Sequence, residues 1–177
     1  MQNSAVESIS KLILSEYYLS DRSVFNTHGV SSTEIKNELF ALKARHSNVN
    51  IDLPEDFIEL MSKWNGFSIS FSLKPNSAHF SDVKFIFEVF SFGKSERFIR
   101  NFYEVNSVTL SSEYLLIGNS NCYCETENGN SFGTGYIAAD QNGHYWHIDK
   151  GDEDYHPSHL IGKSIAEVCE YLFPKIS

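Results

Sequence analysis

The hydrophobic pattern of this chain changes its period at Gly66, and that change limits which folds are open to it. Between Phe57 and Trp64 the apolar residues recur every three or four positions, as on one face of a helix. The Asn-Gly pair that ends at Gly66 is a helix stop signal. From Phe67 to Leu73 apolar residues alternate with serines, as in a strand with one face in water. The sequence therefore predicts helices first and a sheet after them.

Three further segments carry helix signals of the same kind. Residues 6–13 have apolar side chains at helical spacing. Ser31 stands three residues before Glu34, and Ser164 three residues before Glu167, so each pair can form a capping box at the start of a helix. The chain is therefore predicted to have helices near both ends.

Further strands are predicted within residues 83–92 and over 114–117, with a short helix over 95–105 between them. Residues 119–135, rich in Asn, Ser and Gly, are predicted to form the main irregular loop. We expect one α+β domain over residues 1–177, with N-terminal helices, a mainly antiparallel β-sheet and a C-terminal helix packed on the sheet.

The segment GYIAADQNGHYWHID, residues 135–149, predicts a β-hairpin with a two-residue turn at Asn142 and Gly143. In that register the apolar residues of both strands share one face: Ile137, Ala139, Trp146 and Ile148. The other face then holds residues with polar atoms: Tyr136, Asp140, Tyr145, His147 and Asp149. His144 and His147 point to opposite faces, so we do not expect them to chelate a metal together.

The formal charge of −9 is concentrated towards the C-terminus. Residues 1–100 have 12 acidic and 11 basic side chains, whereas residues 101–177 have 11 acidic and 3 basic ones. An acidic surface repels the phosphates of nucleic acids and attracts cationic proteins. We therefore expect a basic protein partner and no nucleic acid.

Cys122, Cys124 and Cys169 are too few for a disulfide framework, which favours a reducing compartment. Charged residues interrupt the first apolar segment, unlike a signal peptide, and no apolar run is long enough to cross a membrane. We expect a cytoplasmic protein without a membrane segment.

Motifs for enzyme chemistry are weak in this sequence. Cys122 and Cys124 lack the C-x₂-C spacing typical of zinc sites, and DKGDED (149–154) lacks the order of an EF-hand loop. GTG (133–135) lacks the later glycine of a dinucleotide loop. We expect no cofactor, no metal and no catalytic residue, although a nucleophilic Cys122 with a histidine base stays open.

Four blocks in order resemble the SUKH superfamily domain: LPEDFIELMSKWNGFSI (53–69), YLLIGNS (114–120), GYIAADQNGHYWHID (135–149) and GKSIAEVCEYL (162–172). The first resembles the Leu-Pro helix ending in Asn-Gly that opens this domain, and the others resemble its later strands and last helix. The similarity extends over about residues 33–172. Residues 74–108 match no block, and the loop 119–135 is longer than usual.

The SUKH superfamily includes cell-wall synthesis regulators of the SMI/KNR type and many bacterial immunity proteins that neutralise toxins. The resemblance implies an α+β domain that binds proteins and does not catalyse. The expected function is that of an immunity protein for a toxin, such as a basic nuclease. The alternatives are a regulatory scaffold or adaptor of the same fold, and a small metal-dependent or cysteine enzyme.

No single binding residue follows from the resemblance, so the partner-binding residues come from the hairpin face and the charge count. Acidic groups would steer a basic partner, and tyrosines would anchor it. For any one of the acidic residues, a solvated loop that only keeps the protein soluble is the alternative. The predicted partner-binding residues are Tyr136, Asp140, Tyr145, His147, Asp149, Asp152, Glu153, Asp154 and Tyr155, with Glu125 and Glu127 as the next candidates.

Overall fold

The computed structural model describes residues 4–13, 18–19, 24–26, 28–45, 49, 51–73, 83–93, 99–109, 113–124, 132–149 and 159–172. Within them lie five helices: α1 (Ala5–Ile13), α2 (Ser32–Arg45), α3 (Glu55–Lys63), α4 (Phe102–Thr109) and α5 (Ile165–Leu172). The same residues form eight strands: β1 (Tyr18–Leu19), β2 (Val24–Phe25), β3 (Phe67–Leu73), β4 (Val83–Val89), β5 (Tyr114–Cys124), β6 (Phe132–Asp140), β7 (Tyr145–Asp149) and β8 (His159–Gly162).

All eight strands belong to one antiparallel sheet. Its order is β1-β3-β4-β5-β6-β7-β8, and β2 pairs with the other end of β3. The helices α1 and α5 contact each other, and α5 contacts β8. The predicted α+β class, with N-terminal helices, an antiparallel sheet and a C-terminal helix, is confirmed.

The helix starts follow the predicted capping signals. In α2 the backbone N–H of Glu34 donates to Ser31 Oγ at 3.2 Å, and the N–H of Ser31 donates to Glu34 Oε2 at 2.9 Å. In α5 the N–H of Glu167 donates to Ser164 Oγ at 3.3 Å. These bonds satisfy donors that have no partner within the first turn of a helix.

The period change at Gly66 is also where the helix gives way to the sheet. Gly66 has φ +85°, and a Cβ atom there would lie 2.9 Å from the side chain of Ile99. Only glycine fits this turn, which leads from α3 into β3. In β3 and β4 the buried residues Phe67 and Phe87 share one face, and Trp64 at the end of α3 meets Phe67 edge to face. The residue that ends α3 therefore packs on that face of the sheet.

Two predicted boundaries are wrong. The helix predicted over 95–105 begins only at Phe102, because Asn101 acts as the N-cap and its Oδ1 accepts from the N–H of Glu104 at 3.0 Å. Residues 94–98 lie outside the described part of the chain. The strand predicted over 114–117 continues to Cys124.

Most of the predicted loop 119–135 is strand instead. The backbone of residues 119–122 pairs on both sides, with β4 and with β6, and residues 123 and 124 pair with β4. Pairing on two sides satisfies the backbone even where Asn, Ser and Gly have low strand propensity, so the sheet context overrides the local preference. Residues 125–131 lie outside the described part.

A short stretch of β5 has its free edge covered by one side chain. Asn106 of α4 donates from Nδ2 to the carbonyl of Leu116 at 2.8 Å, and its Oδ1 accepts from the N–H of Leu116 at 2.8 Å. Strand β4 ends at Val89 and does not pair with Leu116. The Asn106 amide takes the place of a strand partner at Leu116.

Candidate functional site

The β6–β7 hairpin turns differently from the prediction. The N–H of Asp140 donates to the carbonyl of His144 at 2.9 Å, so residues 141–143 form the loop. The Asp140 carboxylate holds this loop because its Oδ1 accepts from the N–H groups of Asn142 at 2.7 Å and His144 at 2.9 Å. Gly143 follows with φ +75°, as expected for a three-residue hairpin loop.

The extra loop residue shifts the pairing by one, so the predicted register is wrong. Ala139 lies opposite Tyr145, and Ile137 lies opposite His147. Because a shift of one residue turns every side chain of β7 to the other face, Tyr145 and His147 join the apolar residues of β6. Trp146 and Ile148 instead share the face of Tyr136 and Asp140.

Tyr145 is a core residue, which corrects its prediction as a partner-binding residue. Its side chain is 0% exposed, and its hydroxyl donates to Asp56 Oδ1 of α3 at 2.6 Å. Burial, together with the negative charge of Asp56, raises the pKa of Tyr145 far above its usual range. Asp56 Oδ2 also accepts from the backbone N–H of Ile165 at 2.6 Å, at the start of α5.

His147 is also buried, which removes it from the predicted contact surface. Its Nδ1 lies 3.4 Å from Asp149 Oδ1. Burial lowers the pKa of His147; the carboxylate of Asp149 opposes this shift, and His159 adds to it. The ring fits only because residue 135 is glycine, since a Cβ atom there would lie 2.1 Å from His147 Nε2.

Asp140 holds the hairpin together rather than pointing freely into solvent. Besides the loop N–H groups, its Oδ2 accepts from the indole N–H of Trp146 at 3.0 Å and lies 3.6 Å from His144 Nδ1. Burial would raise the pKa of Asp140, but the hydrogen bonds from His144, Trp146 and Asn142 outweigh it and lower the pKa.

The remaining predicted residues divide into two groups. Asp149 is exposed and Tyr136 is partly buried, so both are accessible at the surface. The others lie outside the described residues: Asp152, Glu153, Asp154, Tyr155, Glu125 and Glu127.

Across the described residues there is no group of three His, Cys, Asp or Glu side chains able to hold a metal ion. His144 and His147 lie on opposite faces of the hairpin, as predicted. The side chains of Cys122 and Cys124 are outside the described part, whereas Cys169 is buried in α5 and has its pKa raised to about 12, mainly by burial. None of the described helices combines the length and apolar character of a membrane span.

The fold also forms a cavity that the sequence did not predict. It has a volume of about 340 Å³ and lies between α2, the turn that precedes it and the turn after β4. Its polar wall includes Glu34, Asn37 and Glu38 of α2, and Asn26 before the helix. In the sequence, two like charges four residues apart, Glu34 and Glu38, were the only local sign of this cavity. Phe92 and Gly93 line it only because the tertiary fold brings them to α2.

Glu38 is the unusual residue of this cavity. Its Oε1 accepts from the backbone N–H of Gly93, but its Oε2 is buried and has no hydrogen-bond partner among the described residues. Burial raises the pKa of Glu38; the bond from Gly93 lowers it, and the charge of Glu34 raises it further. Asn65 also lines the cavity, and its amide forms two hydrogen bonds of 2.8 Å with the backbone of Phe92.

Comparisons with protein-family models, curated proteins and solved structures found no match to this chain.

Proposed function

We propose that this chain is a non-catalytic, protein-binding domain of the SUKH type that acts as an immunity protein. In this proposal it binds and neutralises a cognate toxin whose surface is basic, such as a nuclease. The chain would work in the cytoplasm, where the toxin acts.

The observation that carries the proposal is the way in which the SUKH-like blocks meet. Asp56 of the first block accepts hydrogen bonds from Tyr145 of the third block and from Ile165 of the fourth. The second block lies in β5, which pairs with β6 of the third block. Tyr145 and Ile165, which follow Asp56 by 89 and 109 residues, thus share its carboxylate, which supports reading the blocks as the frame of one fold.

The same observation separates the frame from the binding surface. Tyr145 is buried, and both carboxylate oxygens of Asp56 accept hydrogen bonds within the protein, so these two residues hold the frame. Partner specificity would then come from residues outside the frame. This division suits a family in which one fold binds many different toxins.

The charge distribution supports a basic partner. Residues 101–177 hold 11 acidic and 3 basic side chains, and Asp149 at the end of β7 is exposed beside the sequence that contains Asp152, Glu153 and Asp154. Such a negative surface speeds the approach of a cationic protein and can occupy a cleft built for phosphate groups.

A direct test uses the gene next to the one that encodes this chain, since an immunity gene normally lies beside its toxin gene. Expression of the neighbouring product alone should arrest growth, and co-expression of this chain should restore it. The two purified proteins should form a complex. A neighbouring product that is not toxic, or a toxic one that this chain neither binds nor neutralises, would contradict the proposal and favour a regulatory adaptor.

The acidic surface is tested by reversing Asp152, Glu153 and Asp154 to Lys together. Association with the toxin should slow markedly, and the wild-type rate should fall with salt because the screening length is roughly 10 Å at 0.1 M ionic strength. A matched control reverses three exposed acidic residues elsewhere and changes the net charge equally: Asp52, Glu59 and Glu170. Equal rates for wild type and both variants at low and high salt would exclude this surface.

A further inference from the structure

Two Asn-Gly pairs lie in the described part of the chain, and their surroundings differ. Asn65-Gly66 follows α3, and Asn142-Gly143 lies in the loop of the β6–β7 hairpin. An asparagine before glycine is chemically reactive, because the glycine has no Cβ atom to keep its backbone nitrogen away from the asparagine side chain. In a folded protein, the reaction then depends on how firmly the fold holds the side-chain amide and the glycine nitrogen.

The first pair is held firmly on both sides of the reaction. Nδ2 of Asn65 donates to the carbonyl of Phe92 at 2.8 Å, and Oδ1 of Asn65 accepts from the N–H of Phe92 at 2.8 Å. The N–H of Gly66 donates to the carbonyl of Trp64 at 2.8 Å, and Gly66 is buried. These three hydrogen bonds have to break before the Gly66 nitrogen can reach the amide carbon of Asn65.

The second pair is held only through its backbone. Asn142 is exposed, and its side-chain amide makes no hydrogen bond with the described residues. The N–H of Asn142 donates to Asp140 Oδ1 at 2.7 Å, and the N–H of Gly143 donates to the Asp140 carbonyl at 3.1 Å. Only the bond of Gly143 has to open for the reaction, and a hydrogen bond in an exposed loop opens easily because water can replace it.

We propose that Asn142 is a site of spontaneous deamidation, with water as the co-reactant. The backbone nitrogen of Gly143 attacks Cγ of Asn142 and loses its proton to a solvent base. The new N–Cγ bond closes a succinimide ring, while the Cγ–Nδ2 bond breaks and Nδ2 takes up a proton from water and leaves as ammonia. Water then opens the ring at either of its two carbonyl groups, which gives aspartate or isoaspartate at position 142.

Isoaspartate would change the part of the hairpin that Asp140 holds. Its main chain runs through the former side chain, so the loop gains one carbon atom between residues 142 and 143. Asp140 Oδ1 accepts from the N–H groups of Asn142 at 2.7 Å and His144 at 2.9 Å, and these bonds depend on the spacing of the two groups. The new carboxylate would also repel that of Asp140. We therefore expect deamidation to loosen the loop, whether or not the proposed function is correct.

The test compares the two pairs in one sample by mass spectrometry. The folded protein is incubated at pH 8 and digested at low pH, where deamidation is slow. Deamidation should be at least about tenfold faster at Asn142 than at Asn65, because the hydrogen bonds of the Asn65 amide raise the barrier there. In denaturant both pairs should react at similar rates. Peptides with Asn128-Gly129, which lies outside the described residues, are scored separately.

A matched variant and the isolated product test the mechanism and its effect. Asn142→Gln keeps an exposed amide but places its carbonyl one carbon further along the side chain. It should stop conversion at position 142 over the time in which half of the wild type reacts. Isoaspartate should be found at position 142 of the wild type, because only the succinimide route forms it. In the separated isoaspartate form, the His144 amide should shift in the NMR spectrum and exchange its hydrogen faster, while the Gly66 amide stays unchanged.

Several results would overturn the proposal. One is a folded protein in which Asn142 reacts no faster than Asn65, or stays intact while the denatured chain is converted. Another is conversion of Asn142→Gln as fast as that of the wild type. A third is an isoaspartate form in which the His144 amide has the same signal and exchange rate as in the wild type. Toxin neutralisation is measured separately, so each of these results leaves the proposed function standing.

Discussion

Replacing Tyr145 by Phe removes one hydroxyl group from the centre of the molecule and leaves the ring in place. The hydroxyl is fully buried and donates to Asp56 Oδ1 at 2.6 Å, whereas Asp56 Oδ2 keeps its bond to the N–H of Ile165. A buried hydrogen bond to a charged group contributes roughly 1.5–3 kcal/mol. We therefore expect Tyr145→Phe to lower the free energy of unfolding by about 2 kcal/mol.

Urea denaturation measures this loss directly. With a slope of roughly 1–3 kcal/mol per molar urea, the midpoint should fall by about 1 M while the slope stays unchanged. Tyr103→Phe is the matched control, because Tyr103 hydroxyl accepts a bond of 3.3 Å from Arg45 at an exposed site. That variant should cost less than about 0.5 kcal/mol.

A double-mutant cycle with Asp56→Ala tests whether the loss belongs to this pair. The double variant should be less destabilised than the sum of the single variants by about 1 kcal/mol or more, as for residues in direct contact. A loss below about 0.5 kcal/mol for Tyr145→Phe, or additive effects in the cycle, would refute the role given to this hydrogen bond.

The same tyrosine has a consequence at high pH. Its pKa is raised in the folded protein above the ordinary value of 10.0, so the folded state keeps a proton that the unfolded state loses. The contribution to stability is complete below pH 10 and decreases as the pH rises above it. Tyr145→Phe should remove this decrease, which unfolding curves between pH 9 and 11 can detect.

Three other residues give predictions that the same methods can check. Gly135→Ala should destabilise the protein by about 1–3 kcal/mol because its Cβ would overlap His147 Nε2, and adding His147→Ala should recover part of that loss. Because the pKa of His147 is lowered in the folded protein, the unfolded state takes up a proton first as the pH falls below 6.5, and the free energy of unfolding should decrease there. Urea unfolding between pH 5 and 7 should show a smaller decrease for His147→Gln. Cys169 should resist a thiol reagent at pH 8 in the native protein and react rapidly in urea, because burial raises its pKa to about 12; rapid native labelling would contradict its burial.

The helices of this fold were predictable because their signals are local. The capping box at Ser31 and the stop at Gly66 depend on residues only a few positions apart, and the structure confirms both. Ser164 caps α5 as predicted, but the Glu167 carboxylate accepts from the N–H of Lys163 instead of that of Ser164. The start of α4 was predicted too early because the apolar spacing begins before Asn101, which is the N-cap in the structure.

The sheet and the site were less predictable because they depend on distant residues. Strand β5 is stabilised beyond Ile117 by neighbours on both sides, which local propensity does not include. One loop residue decided which face Tyr145 and His147 occupy, and the Asp140 carboxylate selected that loop through hydrogen bonds that the Asn-Gly signal does not reveal. The bonding of the Glu38 carboxylate, in which only Oε1 has a hydrogen-bond partner among the described residues, depends on the turn after β4 and could not be read from α2 alone.

The bonds of Asp56 also bear on how fast this chain reaches its native state. Its two donors stand 89 and 109 residues further along the sequence, and α1 packs on α5 from almost the opposite end of the chain. Contacts of such wide separation close large loops, and folds rich in them cross their folding barrier slowly, typically in milliseconds to seconds. During synthesis the Asp56 carboxylate can gain its second donor only after residue 165 has left the ribosome. The helix α3 therefore lacks these two hydrogen bonds for most of translation. Under the proposed function, a cell would therefore gain from making this chain before its toxin.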